Sequence, residues 1–273
     1  MATFQRFAPD DIVITTDKAF TSTWSANTNN LQTAHTSSAQ ASFASPSSSG
    51  QFYINVYNEA TSSATSAVQY SISYGHINGS GSPDFTNDTG SKGYSATKDI
   101  YSQYRSLVFG GDETQQFTFD TVTPDDIYVI NINRARYKQS LKAGSINFQI
   151  SGASGGNLLL TDDSVTKTGS AVITNVGRQF NIVSGTNGVM SGSTLGQTVS
   201  GSYGLFYPDA GFIVLNPKAF DLAAANGGVD LDTLRNSDTS DKNNQTLFNH
   251  ISGAGYFILD SQEAISSQYF FAR

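Results

Sequence analysis

The sequence predicts a mainly β protein: antiparallel sandwich or barrel-like domain(s), with a few short helices and extended terminal segments. Three observations predict this class. Apolar and aromatic residues alternate at period two in short runs, as in Val68, Tyr70, Ile72 and Tyr74 on one face of residues 67–74. From residue 151 such runs recur at short intervals, separated by turns that draw on the chain's 25 glycines. No segment repeats another, which argues against solenoids and propellers.

Residues 1–50 carry a short β signal at 11–15, then a Ser/Thr/Asn/Ala-rich stretch. Phe20, Trp24, Leu31 and Phe43 are widely spaced within it. Four anchors in so polar a stretch cannot build an independent core. Residues 1–50 are therefore expected to be an extended arm laid across a partner, with Phe20 and Trp24 as anchors. The competing expectation is that these residues cap the chain's own core. Residues 51–57 and 67–74 read as a hairpin, and 78–93 as a long loop of the kind that carries function. A short helix is expected over 95–109, starting near Thr97 and Asp99, with Ile100, Tyr104, Leu107 and Val108 on one face.

Phe117 and Phe119 alternate as in a strand. Residues 127–133, Ile-Tyr-Val-Ile-Asn-Ile-Asn, form the strongest strand signal in the chain. Further strands are expected over 145–150, 157–161, 171–176, 180–183, 212–215 and 256–259, with short helices over 220–225 and 246–251. The tail, 267–273, brings Tyr269, Phe270 and Phe271 together, which calls for docking in the core or in a partner. The expected organisation is an arm over 1–50 and β-rich units over 51–150 and 151–273, the last two separate or continuous.

Only 14% of residues are charged, against roughly 25% in ordinary globular proteins. Ser, Thr, Asn, Gln and Gly make up the difference. A neutral polar surface is poorly protected against association and suits a protein covered by neighbours. The net charge of -7 argues against nucleic acid as a partner. The absence of cysteine excludes disulfides, Cys-based zinc sites and thiol nucleophiles. Residues 1–7 lack the apolar core of a secretory signal, and no run reaches the ~18 apolar residues of a membrane span. The expectation is a protein made in the cytoplasm without an export signal, with no membrane partner.

Motifs for chemistry are weak. Gly152-Ala-Ser154-Gly-Gly156 matches the nucleophile-elbow pattern, but an elbow needs a helix after it. Here Asn157-Leu-Leu-Leu-Thr161 follows, as in the return strand of a hairpin. His35, His76 and His250 are far apart and in no metal-binding spacing. The acidic pairs Asp10–Asp11, Asp112–Glu113, Asp125–Asp126 and Asp162–Asp163 sit beside turn residues, where Asp caps turns. No catalytic, cofactor or metal residue is assigned, and the chain is not expected to be an enzyme. The one basic cluster is Arg134, Arg136, Lys138 and Lys142, interleaved with Tyr137. Arg and Tyr commonly anchor binding hot spots. The candidate interface set is therefore Phe20, Trp24, Arg134, Arg136, Tyr137, Lys138, Tyr269, Phe270 and Phe271.

Residues 99–107 (Asp-Ile-Tyr-Ser-Gln-Tyr-Arg-Ser-Leu) and 125–141 (Asp-Asp-Ile-Tyr-Val-Ile-Asn-Ile-Asn-Arg-Ala-Arg-Tyr-Lys-Gln-Ser-Leu) resemble virion structural proteins of contractile-tailed phages, especially those infecting cyanobacteria. Phe4-Gln-Arg-Phe7, Ser22-Thr-Trp-Ser25 and Ser267-Gln-Tyr-Phe-Phe271 are similar too. The resemblance implies a tail or baseplate component, assembled in the host cytoplasm and located in the virion. It implies other virion structural proteins as partners and multiple copies in a symmetric assembly. The alternative expectation is a receptor- or glycan-binding module of a tail fibre or adhesin, with a shallow aromatic site near 75–94.

Overall fold

The computed structural model describes residues 9–36, 53–81, 84–86, 92–152, 156–166, 171–191, 198–237 and 242–270. The strands are β1 (Ile12–Ser22), β2 (Tyr53–Tyr57), β3 (Val68–His76), β4 (Asp84–Thr86), β5 (Lys92–Ser95), β6 (Asp126–Ile132), β7 (Ser140–Leu141) and β8 (Asn147–Ser151). They continue as β9 (Asn157–Asp162), β10 (Val172–Thr174), β11 (Gly177–Thr186), β12 (Val189–Met190), β13 (Gly204–Tyr207), β14 (Phe212–Leu215), β15 (Phe257–Ile258) and β16 (Asp260–Phe270). The α-helices are α1 (Ala96–Phe109), α2 (Pro217–Phe220) and α3 (Asn243–Ala254).

The fold is mainly β. One antiparallel sheet in the order β15-β8-β9-β11-β13-β14-β6-β3-β2, with β10 and β12 attached to β11, curls into a half-barrel. Strands from 51–150 and from 151–273 share this sheet, because β14 pairs β6 and β9 pairs β8. Separately, β1, β16 and β7 form a three-stranded sheet.

The half-barrel is buried on both faces along β6, β13 and β14, which explains their unbroken apolar runs. Tyr128, Ile130, Phe206, Ile213 and Leu215 point into the concave core, where α3 contributes Leu247, Phe248 and Ile251. Ile127, Val129, Leu205, Tyr207, Phe212 and Val214 point outward into a second core under α1, with Tyr101, Val108, Phe117 and Phe119.

Residues 23–36 strap the two margins of the curled sheet together. Trp24 is 2% exposed. Its indole N–H donates to the Phe257 carbonyl on β15 at 2.6 Å, and its ring packs between Phe257 (4.9 Å between centroids) and Tyr70 of β3 (6.2 Å). The Leu31 amide donates to the same carbonyl, and the Phe257 amide donates back to Asn30 Oδ1. His35 then exchanges backbone bonds with Tyr57 at the end of β2. The chain thus runs from β15 at one margin to β2 at the other.

Several expectations are corrected. The arm over 1–50 divides: 12–22 is a strand, and 23–36 lies on the chain's own core. Residues 1–8 and 37–50 fall outside the described residues. The helix over 95–109 forms, but its buried face carries Tyr101, Arg105 and Val108, while Leu107 is exposed. Gly75 of β3 accounts for this roll. A Cβ there would lie 2.8 Å from the Tyr101 amide nitrogen, so the missing side chain lets α1 settle with Tyr101 against the sheet. Phe117 and Phe119 are buried but make no strand: they plug the outer core from a turn in which Phe119 bridges Val122.

Trp24→Ala is expected to cost ~3–5 kcal/mol, the usual range for emptying a large aromatic site, read as a lowered urea midpoint. An unchanged midpoint would detach 23–36 from the folding core.

Candidate functional site

The most unusual surface is the ribbon made by β1 and β16. The two strands pair over their full 11 residues, Ile12 opposite Phe270 and Ser22 opposite Asp260. Among the described strands, its pairing with the body lies at the base. There β16 pairs β7 through Ser261–Leu141 and Gln262–Ser140, and the Ala264 amide donates to Gln139 Oε1. Beyond Ala264 the ribbon runs on for roughly 20 Å at about 3.3 Å per residue.

Its side chains alternate by register. Ile12, Ile14 and Phe270 share one face; Val13, Ile265 and Tyr269 share the other. All six are exposed, Ile14 at 61% and Tyr269 at 53%. A ribbon meant for water on one side would be polar there. This one carries three large apolar side chains on each face, set among Thr, Ser and Gln, and its outer half carries no charge between Ile12 and Thr16 or between Ala264 and Phe270. In the three-stranded order β1-β16-β7, the outer edge of β1 has no neighbour among the described strands. An isolated two-stranded ribbon is marginal in water, and an uncovered edge is a template for further pairing.

The basic cluster does not form a separate patch: most of it fixes the ribbon's base and the strap. Lys138 Nζ meets Glu263 at 2.7 Å, and Lys142 Nζ lies 4.2 Å from the Phe20 ring centroid and 3.9 Å from Asp260. Arg136 donates to Ser25 Oγ, which also accepts from Gln69 Nε2. The Arg134 guanidinium sits 4.6 Å from the Tyr137 ring centroid and donates to the Tyr137 carbonyl. Of the expected interface set, Trp24 and Tyr137 are buried and complete the chain's own core. Phe20, Lys138, Tyr269 and Phe270 remain on or beside the ribbon, and Phe271 lies outside the described residues. Sequence reading missed Ile12, Val13, Ile14 and Ile265 as exposed members of the same surface. The β signal at 11–15 is visible, but nothing in one strand reveals that Ile12, Val13 and Ile14 are all exposed.

β8 and β9 form a hairpin, Ser151 opposite Asn157, so the glycines of the elbow-like motif serve a turn; Ser154 lies outside the described residues. Asp112 caps a turn by accepting from the Thr114 amide. Asp162 accepts from the Gly144 and Ser164 amides, and Asp163 from Asn181. Among the described residues no group of three His, Asp or Glu side chains could hold a metal ion, and no helix is long and apolar enough to cross a membrane.

Asp126 takes a role its sequence did not announce. Arg235 Nε donates to Asp126 Oδ2 at 2.9 Å, while both terminal nitrogens of Arg235 hold Asp221 in a fork at 2.5 and 2.6 Å. Tyr74 Oη donates to the same Asp126 oxygen at 3.1 Å. Burial raises the Asp221 pKa against the pull of Arg235, and it raises the Tyr74 phenol further above its ordinary value. The cluster pins the loop around 221–237 to β3 and β6. Nearby, burial lowers the His76 pKa despite Asp126 and Asp125, and neutral Nδ1 accepts from the Asn78 amide.

No family model, curated protein or solved structure matches this chain.

Arg235→Met should destabilise the fold by about 3–5 kcal/mol by stranding two buried carboxylates; a urea titration measures it. For His76 the sign runs toward acid. The unfolded imidazole binds its proton near pH 6.5, whereas the folded one resists it. Stability held at pH 7 is therefore lost as pH falls below about 6.5. The drop in urea midpoint between pH 7.5 and 5.5 should shrink in His76→Gln; an equal drop in both proteins assigns the effect to other groups.

Proposed function

We propose that this chain is a non-enzymatic structural component of a tailed-phage virion, in the tail or baseplate, acting by protein–protein assembly. The observation that carries the proposal is the ribbon: two fully paired strands with three large exposed apolar side chains on each face, running on beyond their anchored base. Such an element gains stability when neighbours cover it. Its backbone edge offers strand addition, and its alternating side chains offer specificity. The neighbours are other virion proteins and further copies of the chain. The half-barrel acts as a rigid mount, and the Lys138–Glu263 and Lys142–Asp260 contacts hold the ribbon at its base. The phage assignment itself rests on the sequence resemblance.

Mass spectrometry of purified particles, separated into heads and tails, tests the assignment. Fixed stoichiometry in tails supports it, and absence from particles overturns it. The ribbon's part needs a gentler change than deleting residues 1–45, which would remove the core residues Trp24 and Leu31. Ile14→Lys with Tyr269→Lys places one charge on each face. Exposed substitutions usually shift stability within about 0.5 kcal/mol, so the body should melt as before while incorporation falls at least tenfold. Normal incorporation of the double variant refutes the ribbon as the assembly element.

A further inference from the structure

The outer face of the half-barrel changes character where α1 stops covering it. Under the helix, β6 presents Ile127 and Val129; the next outward position is Asn131, which is exposed. The strand register sets Asn131 opposite Ser71 on β3, and Ser71 opposite Asn55 on β2. This row spans roughly 10 Å at about 4.8 Å between strands. One pair further along, Tyr53 stands opposite Ser73. Gln103 and Tyr104 of α1 wall one side, so the surface is a trough of about 390 Å³ rather than a flat sheet. That volume lies in the range of small-ligand sites.

The chemistry of the lining is narrow. Among the described residues of the lining, amides and hydroxyls dominate, no carboxylate is present, and Arg134 at one end is the sole charged group. That guanidinium is already engaged with Tyr137. The Tyr104 ring is fixed against Phe212, 5.3 Å between centroids, and its hydroxyl bonds Ser73. Tyr53 is 37% exposed at the rim. Tyrosine offers rigid amphipathic area at low entropy cost, and Ser and Asn offer adaptable hydrogen bonds. An anion would require more positive charge. A largely apolar ligand would desolvate the exposed Asn131 amide without offering it a hydrogen bond, at a cost.

We infer that this trough binds a neutral saccharide. Vicinal hydroxyls, each donor and acceptor, match the exposed Asn131 amide and the Ser71 hydroxyl beside it, and the Tyr53 ring covers a sugar's C–H face. Glycoside cleavage uses paired carboxylates, so the lining fits retention of a glycan without its hydrolysis. The site differs from the loop at 75–94 that the sequence suggested, and it does not depend on the ribbon or on a place in a virion.

The test is an array of immobilised neutral and acidic oligosaccharides probed with the folded full chain, followed by calorimetry with the free form of any hit. Binding of neutral glycans, weakened at least tenfold by Tyr53→Ala and by Asn131→Ala at unchanged melting temperature, supports the site. Val199→Ser, on another exposed surface, should bind like the parent. Three results overturn the inference: no binding at millimolar glycan, binding indifferent to both trough variants, or binding only of acidic glycans lost with Arg134→Ala. The ribbon variants leave the trough intact, so failure here is separate from failure of the assembly reading.

Discussion

The architecture depends on the carbonyl of Phe257. It lies on β15, one margin of a sheet that curls without closing, and it accepts both the Trp24 indole N–H and the Leu31 amide. A half-barrel has two exposed margins and an open concave face, each of which would otherwise meet water. The strap over 23–36 covers both margins, and α3 fills the concavity. Trp24 is suited to the position because it combines a large apolar body with one directed donor. A phenylalanine would fill much of the space but leave one lone pair of a buried carbonyl without its partner.

With the margins held, the sheet becomes a platform with two separate cores. The inner one is large and aromatic. The outer one extends only as far as α1 reaches, and Gly75 sets how closely α1 can sit. The extent of the outer core therefore defines the polar trough: where helical cover ends, Asn131, Ser71 and Asn55 replace Ile127 and Val129. The Arg235 cluster locks a long loop beside this sheet at a point where hydrophobic packing alone would leave Asp126 unsatisfied. Burying such groups costs desolvation energy, and it is the forked geometry to Asp221 that makes the arrangement tolerable.

The sequence made the class and most strand positions legible because period-two alternation is a local signal. β8 and the hairpin β2–β3 carry it, while β6, β9 and β14 read as short unbroken apolar runs, a signal that is equally local. The regions that failed needed non-local knowledge. β13 reads Gly-Leu-Phe-Tyr, and a leading glycine hides it; a Cβ at Gly204 would lie 2.6 Å from the Val214 carbonyl, a constraint visible only once β14 is beside it. β16 is masked by Ser, Gln and Ala, and its identity comes from pairing with β1 nearly the whole chain away. Trp24 looked like an interface anchor because its neighbours are small and polar, yet those neighbours bond to β-strand groups, as Ser25 does to Gln69. Sequence spacing cannot say which side of a surface an aromatic residue occupies.

The low charge content acquires a structural meaning from where the charges sit. Arg235, Asp126 and Asp221 are turned inward, and Lys138, Lys142, Glu263 and Asp260 gather at the foot of the ribbon. The ribbon's outer half and the floor of the trough are left neutral. Charge on a free surface keeps proteins apart, so removing it from an exposed apolar ribbon invites contact there. Concentrating charge at the ribbon's foot fixes its direction without making its far end repel a neighbour. A chain built this way would be hazardous as a solitary solute and well suited to a place where its neighbours are defined. That coupling of neutral reach to a charged, rigid base is the physical reason for reading the ribbon as an assembly element and not as a misplaced piece of core.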